Sequence, residues 1–225
     1  MDRQLNPVAL WLFSLDQDDA PREEELRHED DRQRCGRIAL PRRKRQFIFR
    51  RLALRHVLDQ YLSHYHLEAE RDCKPRVVAG AGQDSLHFSV SASRTVCAIC
   101  VGATELGIDI EAMPPQADLV DIVREIAPEM QSQDPPAEES AALHAFRQHL
   151  AALVWCRLEA CSKLLGRPLH EFLVANRGRL AARLRDPGLH LMAVASLDYV
   201  CVIAQGQPFR ISRVFRVRYS NITHA

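Results

Sequence analysis

Two carboxylates, Asp109 and Glu111, have a type and spacing that suggest chemistry. They lie in the run Leu106-Gly107-Ile108-Asp109-Ile110-Glu111. Because side chains alternate across a β-strand, this run predicts a strand with its leucine and isoleucines facing a core and both carboxylates on the opposite face. Such hard oxygen ligands suit Mg²⁺ or Mn²⁺ better than zinc, and Mg²⁺ often binds substrate phosphates as well. The pattern predicts a divalent-cation site for a phosphate-bearing substrate, with a merely solvated strand face as the alternative.

A third carboxylate lies on a long helix predicted for residues 137–165. Trp155, Glu159 and Lys163 follow one another four residues apart and therefore share one helix face. Gly166 and Pro168 end the helix. The same face could supply a third metal ligand and a cation, whereas a single surface Glu–Lys pair is the alternative.

Two upstream segments could contact phosphate. Residues 86–93 alternate as a strand does and contain Ser91 near the end, where small side chains admit a phosphate and hydroxyls donate hydrogen bonds. The basic cluster 42–45 lies at the N-terminal edge of an amphipathic helix predicted for 47–62, where N–H groups and cations can hold phosphate oxygens. An ordinary turn and an exposed basic helix end are the alternatives.

Composition limits the class of protein. The chain has 225 residues, 47% of them hydrophobic and 26% charged, which indicates a globular protein. The net charge of +1 and the few aromatic residues give no sign of nucleic-acid binding. No apolar run is long enough to span a membrane, and residues 1–4 do not begin a secretory signal. We therefore expect a cytoplasmic protein that does not bind membranes.

The seven cysteines are odd in number and scattered, which favours reduced thiols. Cys97 and Cys100 form a C-x2-C pair inside an apolar run. Three residues apart on a strand, their side chains point to opposite faces, and no second pair completes a zinc site. A buried strand is the prediction.

The remaining pattern predicts an α/β fold of the α+β kind. A first strand is expected at 8–15, then a helix in the acidic segment that follows it. A strand is expected at 76–79, and strands at 95–101 and 107–111 are expected to form a hairpin. A helix is expected at 118–127. The C-terminal part is expected to be β-rich, with strands at 172–174, 179–184, 189–196, 199–204 and 210–218.

Three motifs together resemble those of the 4′-phosphopantetheinyl transferases, in particular the surfactin-synthetase-activating type. That family has approximately F-N-x-S-H-S, G-[IV]-D-[IV]-E and W-x-x-K-E-A-x-x-K. Here the corresponding residues are Phe88-Ser89-Val90-Ser91-Ala92-Ser93, Gly107-Ile108-Asp109-Ile110-Glu111, and Trp155-Cys156-Arg157-Leu158-Glu159-Ala160 with Lys163. Their order, their spacing and the chain length fit, and the resemblance extends from residue 42 to residue 166.

The resemblance implies two similar α/β halves related by a pseudo-twofold, divided here at 1–112 and 113–225, with coenzyme A between them. It implies Mg²⁺-dependent transfer of 4′-phosphopantetheine from coenzyme A to a serine of an acyl or peptidyl carrier protein, with release of 3′,5′-ADP. Such a holo-carrier-protein synthase would serve fatty acid, polyketide or nonribosomal peptide biosynthesis. A chain that already contains both halves is expected to be a monomer.

The resemblance also implies roles for individual residues. Asp109, Glu111 and Glu159 would hold Mg²⁺, or Mn²⁺ instead. Glu159 would also accept the proton of the attacking serine, and Lys163 would stabilise developing charge. Asp109 also belongs to the implied catalytic and coenzyme-binding set, in which the coenzyme's phosphates would be contacted by Arg45, Lys74 and Ser91.

Two positions depart from the family pattern. Ala92 stands where the family has His, and Leu158 stands where it has Lys. We expect an active enzyme with altered coenzyme affinity, because the three carboxylates and Lys163 are present. The alternatives are a non-catalytic carrier- or coenzyme-binding protein of the same fold, and a Mg²⁺-dependent enzyme acting on another pyrophosphate.

Overall fold

A computed structural model of the chain describes residues 5–15, 21–68, 75–79, 86–116, 118–127 and 141–223. Within these ranges helices and sheets are both present, which confirms the predicted α+β class. None of the helices in the described ranges combines the length and the apolar character that crossing a membrane requires.

The strands and helices have the following bounds. The strands are β1 (Asn6–Ser14), β2 (Tyr65–Glu68), β3 (Arg76–Ala79), β4 (His87–Ser93), β5 (Val96–Gly102), β6 (Leu106–Ala112), β7 (His190–Ala195), β8 (Tyr199–Gln205) and β9 (Phe209–Arg218). The helices are α1 (Glu29–Gly36), α2 (Pro41–Leu58), α3 (Leu119–Ile126), α4 (Ala141–Leu164), α5 (Leu169–Ala175), α6 (Leu180–Leu184) and α7 (Ser220–Thr223), with a short 3₁₀ turn at Glu23–Glu25.

Two larger sheets form the centre of the fold. The first has the order β4-β5-β1-β9, in which β5 pairs antiparallel with both β4 and β1, and β9 pairs parallel with β1. The second has the order β6-β8-β7 and is antiparallel. Strands β2 and β3 form a separate antiparallel pair.

The predicted hairpin between β5 and β6 is wrong. Strand β5 is an inner strand whose two edges are occupied by β4 and β1, so it offers no edge to β6. After the turn at 103–105 the chain enters the second sheet, where β6 pairs with β8. A short connection between two strands therefore joins two sheets here instead of forming a hairpin.

Three apolar layers hold the fold together. One lies between α2 and the first sheet, the second lies between the two sheets, and the third lies between the second sheet and α4 with its neighbouring helices. The order of layers is thus α2, first sheet, second sheet, α4. Burial of these apolar faces is the main stabilising term of such a layered domain.

The predicted orientation of the two cysteines of β5 is confirmed. Cys97 belongs to the layer against α2, whereas Cys100 belongs to the layer between the sheets, and neither is exposed. The six cysteines in the described ranges are all free thiols.

Several elements differ from the predictions in their bounds or in their type. Helix α2 begins at Pro41, so the basic cluster 42–45 lies in its first turns and not before it, because proline at the first position suits a helix start. Residues 172–174 lie in α5, and residues 180–184 of the predicted strand 179–184 form α6, so neither segment is a strand. Their buried residues recur at helical spacing and pack against α4, and this tertiary contact outweighs the local strand pattern.

Strands from one predicted half pair with strands from the other. Strand β6, from the part before residue 113, pairs with β8, and β9 from the later part pairs with β1. The division at 112/113 remains a prediction.

Gly107 permits the closest approach between α4 and the second sheet. A Cβ atom at this position would overlap the carbonyl oxygen of Ala160 and lie 2.6 Å from the backbone nitrogen of Leu164. Both are backbone atoms of α4, so a larger side chain could be accommodated only by moving the whole helix.

We expect Gly107→Ala to lower the free energy of unfolding by about 1–3 kcal/mol or more, because it forces α4 away from β6. Gly206→Ala is the matched control, since a Cβ there meets nothing within 4 Å. Chemical denaturation of both variants measures the difference. Equal midpoints would contradict the close approach.

His56 offers a test of the layer between α2 and the first sheet. Its ring packs edge-on against Trp11 and Phe13, at centroid distances of 6.0 and 6.1 Å. Burial lowers the pKa of His56 below its ordinary 6.5. A group whose folded-state pKa is lowered in this way stabilises the fold fully above pH 6.5 and loses that contribution as the pH falls through the folded value.

We therefore expect acidification below pH 6.5 to reduce the stability of the natural protein more than that of His56→Phe, which keeps a ring but cannot be protonated. Urea denaturation at a series of pH values gives the comparison. Parallel stability curves for the two proteins would mean that His56 does not titrate as described.

Candidate functional site

The carboxylate strand has the faces that its sequence predicts. The leucine and isoleucines of β6 are at most 2% exposed and lie between the sheets. Asp109 is 5% exposed, and Glu111 is half-buried on the same side. This side of the strand faces α4, since Gly107 on it touches the helix backbone.

Serines of β4 connect the two sheets at this point. The Ser89 hydroxyl accepts a hydrogen bond from the backbone N–H of Ile108 at 3.2 Å, and the Ser91 hydroxyl donates to Asp109 Oδ1 at 2.6 Å. Ser93 hydrogen-bonds to Glu111. The contacts advance along both strands together, so β4 and β6 run side by side in one direction. They belong to different sheets, and serine side chains make the connection.

Lys163 is the centre of the cluster. Its Nζ donates to Asp109 Oδ1 at 2.7 Å and to the Ser91 hydroxyl at 3.2 Å, and it lies 3.9 Å from Glu159 Oε2. These four side chains come from β4, β6 and α4. The structure therefore brings together four of the residues singled out in the sequence, which lie up to 72 positions apart.

The electrostatics of the cluster favour a cation. Burial raises the pKa of Glu111 and of Glu159, and neighbouring carboxylates raise both further, while Lys163 opposes this effect. Burial disfavours the charged form of Lys163, but the carboxylates of Asp109 and Glu159 outweigh it and raise the pKa of the amine. The ammonium group of Lys163 thus acts on all three carboxylates, and Arg94 also acts on Glu111.

The three carboxylates match Mg²⁺ in chemistry, because they are hard oxygen ligands whose mutual repulsion a divalent ion would relieve. As positioned, however, Oδ1 of Asp109 is engaged by Lys163 and Ser91. Within the described ranges, no three His, Cys, Asp or Glu side chains form a ready metal-binding group. Lys163 and Ser91 thus occupy one of the two carboxylate oxygens of Asp109.

A cavity of about 370 Å³ adjoins the cluster. Glu159 and Lys163 line it from α4, and cationic residues of α2 and of the segment after α4 line its other sides. Its walls also include apolar residues of α2, β4 and the start of α5. Its charged lining residues are Arg50, Arg51, Glu159, Lys163 and Arg167.

Arg51 is held in place by a buried ion cluster. Asp31 of α1 is 2% exposed, and its carboxylate lies 3.4 Å from Arg51 Nε and 2.9 Å from Arg55 Nε. The Arg51 guanidinium also lies over the Phe47 ring at 5.3 Å. The aspartate therefore fixes α1 to α2 and orients an arginine at the cavity wall.

A second cavity, of about 610 Å³, shares Phe47 and Arg50 with the first. Arg37 and Arg43 also line it, together with the connection between α1 and α2. The two cavities thus form neighbouring parts of a cleft with a strongly positive wall on α2. Sequence reasoning included Arg43 in the basic cluster 42–45 but missed Arg37 and Arg50. The spacing of Arg43 and Arg50 along α2 could have indicated a common face, but the contribution from the α1–α2 connection depends on tertiary structure.

Arg45 and Lys74 are the other two residues predicted to contact phosphate. Arg45 lies on the exposed side of α2 and is not among the residues lining the two cavities. Lys74 lies outside the described residues, although the next residue, Pro75, lines the first cavity.

The two positions that depart from the family pattern face apolar layers. Leu158 is fully buried in the layer beneath α4, and Ala92 packs against the layer on α2. Neither lines the first cavity.

No protein-family model matches the chain, and no curated protein matches it. The likeness to a family therefore rests on the three sequence motifs.

The Lys163–Asp109 contact can be measured as a coupling free energy. We expect a double-mutant cycle of Lys163→Met and Asp109→Asn to give about 1–3 kcal/mol, because both side chains are largely buried and share a charged hydrogen bond. The exposed pair Asp121–Arg124 is the control and should give about 0.5 kcal/mol or less. Equal couplings in denaturant unfolding would contradict the central position of Lys163.

Proposed function

We propose that this protein is a 4′-phosphopantetheinyl transferase of the surfactin-synthetase-activating type. It would transfer 4′-phosphopantetheine from coenzyme A to a serine of an acyl or peptidyl carrier protein. The observation that supports this most is the convergence of Ser91, Asp109, Glu159 and Lys163, from all three motifs of the resemblance, beside an arginine-lined cleft.

The finer fold that belongs to this proposal is a pair of α/β halves related by a pseudo-twofold. A long helix covers the outer face of each sheet, α2 on the first and α4 on the second, and this agrees with two similar halves. The cleft lies where α2 and the C-terminal end of α4 approach each other, which is where coenzyme A would bind in the proposal.

The charge of the cleft suits the coenzyme. Its three phosphate groups require several cations, and arginine guanidinium groups bind phosphate oxygens in bidentate fashion. Arg37, Arg43 and Arg50 would serve one part of the coenzyme and Arg51 and Arg167 another. Arg45 and Lys74 remain proposed contacts on the resemblance.

The side chains of the cluster have complementary roles in the transfer. The carrier's serine oxygen would attack the phosphorus that bears the pantetheine arm, and the bond to the leaving 3′,5′-ADP would break. Glu159 would accept the serine proton, a role that suits a carboxyl whose pKa is raised by burial and by neighbouring carboxylates. Lys163 would stabilise charge developing on the phosphoryl oxygens.

Asp109, Glu111 and Glu159 are the residues that would hold Mg²⁺. When bound, the ion would neutralise the pyrophosphate charge, which is the main requirement of phosphoryl transfer. This chain's own part is to present three carboxylates on adjacent elements and to provide the ammonium group of Lys163 beside them.

The departures at Ala92 and Leu158 are compatible with activity. Both side chains lie in apolar layers, and arginines line the neighbouring cleft. Cations from other positions can therefore take the place of the ones that the family pattern has and this chain lacks.

The decisive experiment incubates this protein with coenzyme A, Mg²⁺ and each of several unmodified carrier proteins, and measures the intact mass of the carrier. We expect a gain of one phosphopantetheine that disappears with a chelator. Coenzyme A binding without any mass gain would instead favour a non-catalytic binding protein. Cleavage of coenzyme A without carrier modification would favour a hydrolytic enzyme.

Glu159→Gln tests the assignment of the base. We expect the initial rate of carrier modification to fall about a hundredfold or more, because the amide cannot accept the serine proton. Glu171→Gln, an exposed change on α5, is the matched control and should keep the full rate. An unchanged rate in Glu159→Gln would remove this residue from the mechanism.

A further inference from the structure

A third cavity lies away from the cleft, at one end of the layer between the two sheets. Its volume is about 250 Å³. It is lined by the ends of β1 and β9, the beginnings of β5 and β8, and Ile110 of β6. The apolar layer between the sheets is thus not filled at this end.

The side chains that point into this layer follow from strand register. On β1, Val8, Leu10 and Leu12 belong to the layer between the sheets. In the parallel pairing with β9, Leu12 is opposite Arg216 and Ser14 is opposite Arg218. Neighbouring residues in register share a sheet face, so both arginines lie on the face that the core uses elsewhere.

The end of β9 has apolar residues on one face and arginines on the other. Phe215 and Val217 lie on the apolar face and pack against the layer beneath α2. On the face toward the layer between the sheets, Arg216 and Arg218 are both solvent-exposed and border the unfilled apolar space.

Both arginines are available for a ligand. Within the described residues, neither Arg216 nor Arg218 has an ion pair or a hydrogen bond from its side chain. The hydroxyl of Tyr199, whose residue is half-buried at the same cavity, likewise has no hydrogen-bond partner there. Three side chains with hydrogen-bond donors therefore border an apolar space, and the two arginines lie on its solvent side.

We propose that this inter-sheet cavity binds a small organic anion with an apolar body, such as a medium-chain carboxylate. The apolar part would fill the space beside Leu12 and Ile110, and the carboxylate would accept hydrogen bonds from Arg216 and Arg218. An apolar cavity of about 150 Å³ can hold a benzene molecule, so this larger one has room for a short alkyl chain.

The cavity is separate from the proposed transferase site. Ile110 reaches it from the face of β6 opposite to Asp109 and Glu111, so the strand itself divides the two. Binding here requires neither coenzyme A nor a carrier protein. The result of a binding test at this cavity is therefore independent of the proposed function.

Charged residues on an edge strand can also prevent pairing with another molecule, and β9 is an edge strand. That role alone would require no ligand and predicts no saturable binding. A ligand-binding measurement therefore separates the two explanations.

The test is calorimetric titration of the full-length protein with octanoate below its micelle concentration, compared with octanol and acetate. We expect saturable one-to-one binding of octanoate, at least tenfold tighter than that of either comparison compound, because only octanoate has both the chain and the charge. Octanoate should also raise the thermal unfolding temperature.

The variant Arg216→Gln/Arg218→Gln should weaken octanoate binding at least tenfold while keeping the circular dichroism spectrum. Arg213→Gln is the matched control, because it removes an exposed arginine of β9 that does not line the cavity. Absence of saturable octanoate binding to the natural protein, or equal affinity in the double variant and the control, would overturn the proposal.

Discussion

The contact of Lys163 with Asp109 and Ser91 is the interaction on which the site depends. Strands β4 and β6 belong to different sheets, and α4 reaches both only because Gly107 lets it approach β6 closely. The serine hydroxyls and the ammonium group then fix the three elements relative to one another. Without them, a nearly buried carboxylate would face other carboxylates without a cation, which is costly in a protein interior.

The same contact contributes to the stability of the fold and lies within the proposed active site. Three carboxylates around one ammonium group favour an additional cation. Burial, and after it the neighbouring carboxylates, raises the pKa of Glu111 and of Glu159. The adjacent arginine-lined cleft has the opposite charge and suits phosphate groups. A site in which acidic residues adjoin a positive cleft is suited to a metal–pyrophosphate substrate, which is the class that the proposal names.

Local patterns predicted part of this arrangement. Alternation identified the faces of β6, and four-residue spacing placed Glu159 and Lys163 on one face of α4, because both depend only on neighbouring residues. The β5–β6 connection was misjudged, since strand pairing depends on which edges distant strands occupy. The arginines of the cleft were missed for the same reason: Arg37, Arg50 and Arg167 come together only after α1, α2 and α4 have packed.

The most direct test of this account is calorimetric titration of the protein with coenzyme A, with and without Mg²⁺. The account predicts saturable one-to-one binding that is tighter with Mg²⁺, because the ion and the arginines together neutralise the coenzyme's phosphates. Absence of coenzyme A binding under both conditions would contradict the account, since neither the cleft nor the carboxylate cluster would then have the ligand assigned to it.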